Sequence, residues 1–118
     1  MAEFGLFVGW GGPVRGRESK AATVFNEAAE FWGRQQQQGE IESWEAVFLE
    51  PHGGDLAGFF LIRGERDKLA RIRFSDEVLR LNLRAGHIVE SFGVVGAELG
   101  ERIGSSMQEW LSYAEELS

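Results

Sequence analysis

Apolar side chains alternate with small ones over residues 3 to 10, placing Phe4, Leu6, Val8 and Trp10 on one face of a strand. Phe7 falls on the other face, between Gly5 and Gly9. From residue 17 to 38 the period lengthens to that of a helix, with Ala21, Val24, Phe25, Ala28, Phe31 and Trp32 in one stripe and Gly39 as a left-handed cap. Residues 42 to 49 form a second strand, with Trp44, Ala46 and Phe48 opposite Val47 and Leu49. The turn Glu50 to Asp55, containing Pro51 and the pair Gly53-Gly54 at positive φ, leads into a return strand over 56 to 63, giving an antiparallel hairpin. Residues 65 to 85 read as a helix in two pieces, with Ser75 the N-cap of the second and Asp76 and Glu77 in its first turn. Gly86 closes it, and residues 87 to 96 read as a fourth strand. A last helix starts near Glu101, its stripe made of Ile103, Met107, Trp110, Leu111, Ala114 and Leu117.

This order, β-α-β-β-α-β plus a C-terminal helix, is the split βαβ or ferredoxin-like arrangement: an α+β plait with a four-stranded antiparallel sheet, one domain over 1–118. Right-handed crossovers put both helical connections on the same side of the sheet. Yet strands 2, 3 and 4 carry large apolar residues on both faces: Trp44 and Phe48 against Val47 and Leu49, Phe59 and Leu61 against Phe60 and Ile62, Phe92 and Val94 against Val89 and Val95. An antiparallel sheet with one wet face alternates apolar and polar. The uncovered face therefore predicts a partner, a second copy in an isologous sheet-to-sheet homodimer. The alternative is the C-terminal helix folded over that face of its own chain.

Composition narrows the field of function. The net charge of −7 removes nucleic acid as a default partner, because phosphate neutralisation needs a clustered positive field. The hydrophobic fraction of 43%, with four Trp and nine Phe, supports a real core. The absence of cysteine excludes disulfides, a thiol nucleophile and thiolate metal ligands. The opening "MAEFGLFVGW" has no basic leader and no apolar run of membrane length, which reads as a cytoplasmic protein without a membrane partner.

In element order, and in segments such as "GRESKAATVFNEAAEFWG", "EIESWEAVFLEPHGGDLAGFFLIRG" and "RFSDEVLRLNLRAGHIVESFGVVGA", the chain resembles the dimeric α/β-barrel superfamily, most closely an uncharacterised bacterial branch. That superfamily includes antibiotic-biosynthesis-monooxygenase-like, haem-degrading and chlorite-dismutase-related proteins. The resemblance implies a small apolar ligand between sheet and helices. It carries over no reaction and no functional residue.

Several residues invite chemistry. The loop "VGWGGPVRGRESK" has Gly11 and Gly16 at P-loop spacing, but Arg17 and Glu18 stand where Lys and Ser or Thr are needed, and a carboxylate there repels a nucleotide. The dinucleotide fingerprint fails as well, with Val14 in place of the third glycine. Arg15 and Arg17, beside free helix amides, are candidates for holding an anionic ligand group; solvated loop arginines are the plainer reading. His52 and His87 lack companions at ligand spacing, so no metal and no cofactor are expected. His87, at the rim of the sheet, is a weak catalytic candidate. Glu90, read as mid-strand on the face of Ile88 and Phe92, is either a general base in an apolar setting or an inward charge guarding an edge strand. Trp10, Trp44 and Phe48 are candidate contacts for an apolar ligand.

The sequence thus leads to a dimeric small-molecule-binding domain with an apolar pocket, and to cofactor-free oxygenase or isomerase-like chemistry as its enzymatic form. A noncatalytic dimerisation or binding module is the alternative.

Overall fold

The computed structural model describes residues 2–118. Its elements are β1 (Phe4–Trp10), α1 (Glu18–Gln37), β2 (Ser43–Phe48), β3 (Gly58–Gly64), α2 (Arg66–Arg73), α3 (Asp76–Gly86), β4 (Gly93–Glu98) and α4 (Arg102–Glu116). The strands make one sheet in the order β2-β3-β1-β4 with every neighbouring pair antiparallel, the ferredoxin-like plait.

Local rules account for the punctuation. Gly39 takes φ +74 just past the end of α1, where a side chain would be strained. The break between α2 and α3 is made by Ser75, whose Oγ accepts from the Val78 amide at 3.4 Å and donates to the Ile72 carbonyl at 2.7 Å.

Register then sorts the faces. Leu6 pairs with Ile62 and Val8 with both Phe60 and Val94, so these side chains share the helix-covered face with Trp44 and Phe48. Phe31 and Trp32 of α1, Leu69 and Ile72 of α2, and Val78 of α3 close over them, and Ile62 at the centre is wholly buried. The opposite face carries Phe7, Val47, Phe59, Leu61 and Val95, with the ion pair Arg63–Glu45 at 2.7 Å among them. Among the described residues, no helix packs along it. The C-terminal helix, expected as one way of covering that face, instead buries none of its own residues and does not pack along any strand.

The fourth strand begins six residues later than its apolar pattern suggests. Ile88 and Val89 still donate to the Ala85 carbonyl as the last turn of α3, and Ser91 takes φ +52. That left-handed residue breaks the two-residue alternation, so Val89, Glu90 and Phe92 do not belong to β4, and pairing with β1 starts at Gly93. Glu90 is therefore an exposed turn residue rather than a mid-strand one, and Phe92 does not stand opposite Val95 within the strand.

No described helix is long and apolar enough to cross a membrane.

Candidate functional site

A cavity of about 580 Å³ opens between the sheet and the facing sides of α1 and α3. Its origin is the size of the side chains along α1. Toward the C-terminal end of that helix, Phe31 and Trp32 are buried against the sheet and hold it down. Toward the N-terminal end Val24 and Phe25 still reach inward, but Ala21 and Ala28 on either side of them are small and leave space between helix and sheet unfilled. Ala85 leaves similar room on α3. The two helices are fixed over the space by Arg84, whose guanidinium grips Glu27 at 2.9, 3.1 and 3.2 Å, and by Arg34, 2.9 Å from Glu77.

One wall is aromatic. Trp10 packs edge-on against Phe60 at 5.0 Å, Phe25 at 6.0 Å and Phe48 at 6.4 Å between centroids, and Phe25 lies 5.3 Å from Phe60. Phe48 is 70% exposed and forms part of the mouth. The polar side chains in the lining are the amides of Asn26 and Asn82 and the carboxylate of Glu18. Neither amide has a hydrogen-bond partner within the described residues, so both are free to serve a ligand.

The end wall comes from the glycine loop. The Gly11 amide donates to the Glu90 carbonyl at 2.6 Å, the Glu90 amide to the Gly12 carbonyl at 2.9 Å, and the Val14 amide to the Ile88 carbonyl at 2.8 Å. This short ladder, with Pro13 bridged to Val89, ties the exit of β1 to the approach to β4. A Cβ on Gly11 would lie 2.9 Å from the Glu90 carbonyl oxygen and 3.0 Å from that of Asp55. Both obstacles are backbone, which cannot swing aside. Gly11→Ala is therefore expected to lower stability by about 2 kcal/mol, read from the midpoint of urea unfolding. A change below about 0.5 kcal/mol would show that the ladder is not held tightly.

The residues singled out from sequence scatter around this cavity. Trp10 and Phe48 line it. Trp44 sits further along β2, edge-on to Phe60 at 5.7 Å and outside the lining. Arg17 spends its Nη1 on the His87 carbonyl at 2.9 Å, clasping the start of α1 to the end of α3, and Arg15 points to solvent. His87 and Glu90 are exposed and contribute backbone groups to the surrounding turns, while their side chains stand apart from the lining. His52 organises its own turn: Nε2 donates to the Leu56 carbonyl at 2.9 Å, and Nδ1 accepts from the Gly54 amide at 3.3 Å. Among the described residues, no group of three His, Cys, Asp or Glu is placed to hold a metal ion.

Phe25 was read from the sequence only as part of the α1 core stripe, and Asn26 and Asn82 were not singled out at all. Asn82 leaves a trace there, since it follows Val78 by one helical turn and interrupts the apolar stripe Val78-Leu81-Ala85. Asn26 sits on the polar margin of its helix and leaves none.

No protein-family model matches the sequence, and no curated protein matches it. Solved structures do. A dimeric protein of unknown function and ferredoxin-like fold from Bacteroides fragilis superposes with a TM-score of 0.57 at 12% identity, covering 81% of this chain and 96% of that one. A protein of unknown function from Nitrosomonas europaea gives 0.61 at 18% identity, covering 84% and 90%. SnoaB, a cofactor-independent oxygenase from Streptomyces nogalater, gives 0.57 at 14% identity, covering 85% and 96%. At these identities the likeness establishes architecture alone: the chain has the ferredoxin-like fold.

Proposed function

We propose that this protein is a homodimeric small-molecule-binding protein that holds an apolar ligand between its sheet and α1 and α3. The cavity carries this reading. Its volume of about 580 Å³ lies within the range of small-molecule sites, and its lining is an apolar surface with few polar groups. The ligand that suits it has a flat or aliphatic body against Trp10, Phe25 and Phe60, with a hydroxyl or carbonyl within reach of Asn26 or Asn82. The homodimer is supported by the uncovered apolar face of the sheet and by the dimeric assembly of the fold neighbour from Bacteroides fragilis.

A catalytic form of the same reading is supported by one fold neighbour, the cofactor-independent oxygenase. Such chemistry needs a proton acceptor beside the substrate. The lining offers one titratable side chain, Glu18. Binding is therefore the primary reading, and oxygenation with Glu18 as the base is the second.

Naphthol and nonanol probe the binding reading. Each is expected to quench or shift tryptophan emission saturably at one ligand per chain, through Trp10. At a hundred times its dissociation constant, each should also stabilise the fold by about 2.7 kcal/mol. Flat titrations with both, together with no co-purifying small molecule in native mass spectrometry, would remove the binding reading. Oxygen uptake on adding a bound phenol, lost in Glu18→Gln, is the result expected of the oxygenase form.

A further inference from the structure

The C-terminal helix is the least accounted-for part of the molecule. At 100° per residue, Ile103, Met107, Trp110, Leu111, Ala114 and Leu117 of the α4 segment occupy one side, with Tyr113 at its margin. Such a stripe normally faces a core. Here its large members are 53 to 82% exposed, and α4 contributes no buried residue. The radius of gyration is 16.1 Å, whereas a compact chain of this length has about 13.5 Å. A lone helix of fifteen residues is marginal in water, so its stability depends on something covering the stripe.

The departure of α4 from the sheet is fastened. The Leu99 amide donates to the Glu3 carbonyl at 2.7 Å, and Gly100 turns the chain at φ +56. Arg102 lies over the Phe4 ring at 5.7 Å and reaches Glu98 at 3.5 Å and Glu109 at 3.7 Å. These contacts hold α4 pointing away from the chain's own sheet. The Leu99 side chain, meanwhile, approaches the position a Gly5 Cβ would take, 3.0 Å away, on the uncovered face. The apolar surface is thus continuous: Phe7, Phe59, Leu61 and Val95 on the sheet, then Leu99, then the α4 stripe.

We infer that α4 is an exchanged arm, its stripe packing onto a second copy of this chain while the uncovered sheet face meets the same copy. This rests on the homodimer proposed above and adds to it where the C-terminal helix goes. Trp110 alone offers roughly 150–250 Å², and with Ile103, Met107, Leu111 and Leu117, all more than half exposed, the stripe can supply a large share of the 800 Å² or so that each partner buries in a stable interface. The uncovered sheet face, with Phe7, Phe59, Leu61 and Val95, adds further apolar area to the same interface. Two-fold symmetry lets each arm find on the partner what its own chain withholds. Charge argues against a membrane as the occupant. The segment carries Glu101, Glu109, Glu115 and Glu116 against the single base Arg102, whereas helices that lie on anionic lipid are rich in Lys and Arg.

Analytical ultracentrifugation of the full chain and two variants tests the arm. Met107→Glu/Trp110→Glu places charge in the stripe, at positions exposed within one chain, so circular dichroism should show the fold intact. Ser105→Glu/Ser112→Glu places the same charge on the opposite side of α4. The parent chain is expected to sediment at twice 13.2 kDa. The stripe variant should weaken the dimer at least fiftyfold, and the control less than threefold. The emission contributed by Trp110, taken as the difference from Trp110→Phe, should shift to the red as the dimer is diluted apart. A dimer indifferent to the stripe variant, or a Trp110 emission independent of concentration, overturns the arm while leaving the homodimer standing. A parent chain that sediments as one copy overturns both.

Discussion

Phe60→Ala is expected to lower the unfolding free energy by about 4 kcal/mol. Phe60 is at the middle of β3 and 3% exposed, and its ring touches three others: Trp10 at 5.0 Å, Phe25 at 5.3 Å and Trp44 at 5.7 Å. Truncation removes the transfer energy of a buried ring and the edge-on contacts with its neighbours, each worth about 1 kcal/mol beyond area. Collapse cannot recover the loss. The space left would merge with the cavity beside it, and the sheet register holding Phe60 opposite Val8 and Ala46 keeps the backbone in place. Phe60→Leu, which keeps most of the volume, should cost about 1.5 kcal/mol. Urea unfolding followed by tryptophan emission and circular dichroism checks both, and a loss below about 2 kcal/mol for the alanine variant would mean that the aromatic wall is not the keystone of this half of the core.

Ala21→Trp should abolish ligand binding while leaving the fold intact. Ala21 lies on the inner face of α1, one turn before Phe25, and lines the cavity. An indole there grows into empty space instead of into packed neighbours, so the usual penalty of enlarging a core residue is absent. The affinity for naphthol is expected to fall at least a hundredfold, or about 2.7 kcal/mol, with the urea midpoint unchanged or raised. Thr23→Trp, on the exposed side of the same helix, is the comparison and should bind as the parent does. Undiminished binding to Ala21→Trp would place the ligand elsewhere, on the uncovered sheet face or against α4, and would sink the pocket reading.

The two variants separate parts of the molecule that were unequally legible from sequence. Gly39 and Ser75 could be placed as caps because a cap is a contract among residues three or four positions apart. The same holds for the stripe of α1 and the alternation of β1. Glu90 and the start of β4 were misplaced for a complementary reason. The run from Ile88 to Phe92 has strand-like residues, but the Ala85 carbonyl captures the amides of Ile88 and Val89, and Ser91 turns left-handed. The glycine loop resists a local reading in another way, since Gly11 is required by carbonyls of Glu90 and Asp55, far off in the chain.

At the cavity, Trp10 and Phe48 stood out as aromatic residues at strand ends, whereas Ala21, Ala28 and Asn26 did not. An alanine on the inner face of a helix is unremarked until the distance from that helix to the sheet is known. Asn82 alone broke a pattern that the sequence displayed.

The order of elements, the two-layer plait and the existence of a second apolar sheet face were determined by the sequence itself, through periods and caps that act over a few residues. Three things were decided only by tertiary structure: the cavity under α1, the late start of β4, and the departure of α4 from its own sheet. Each depends on how far apart distant segments come to rest, and that separation is set by the sum of packing over the whole chain.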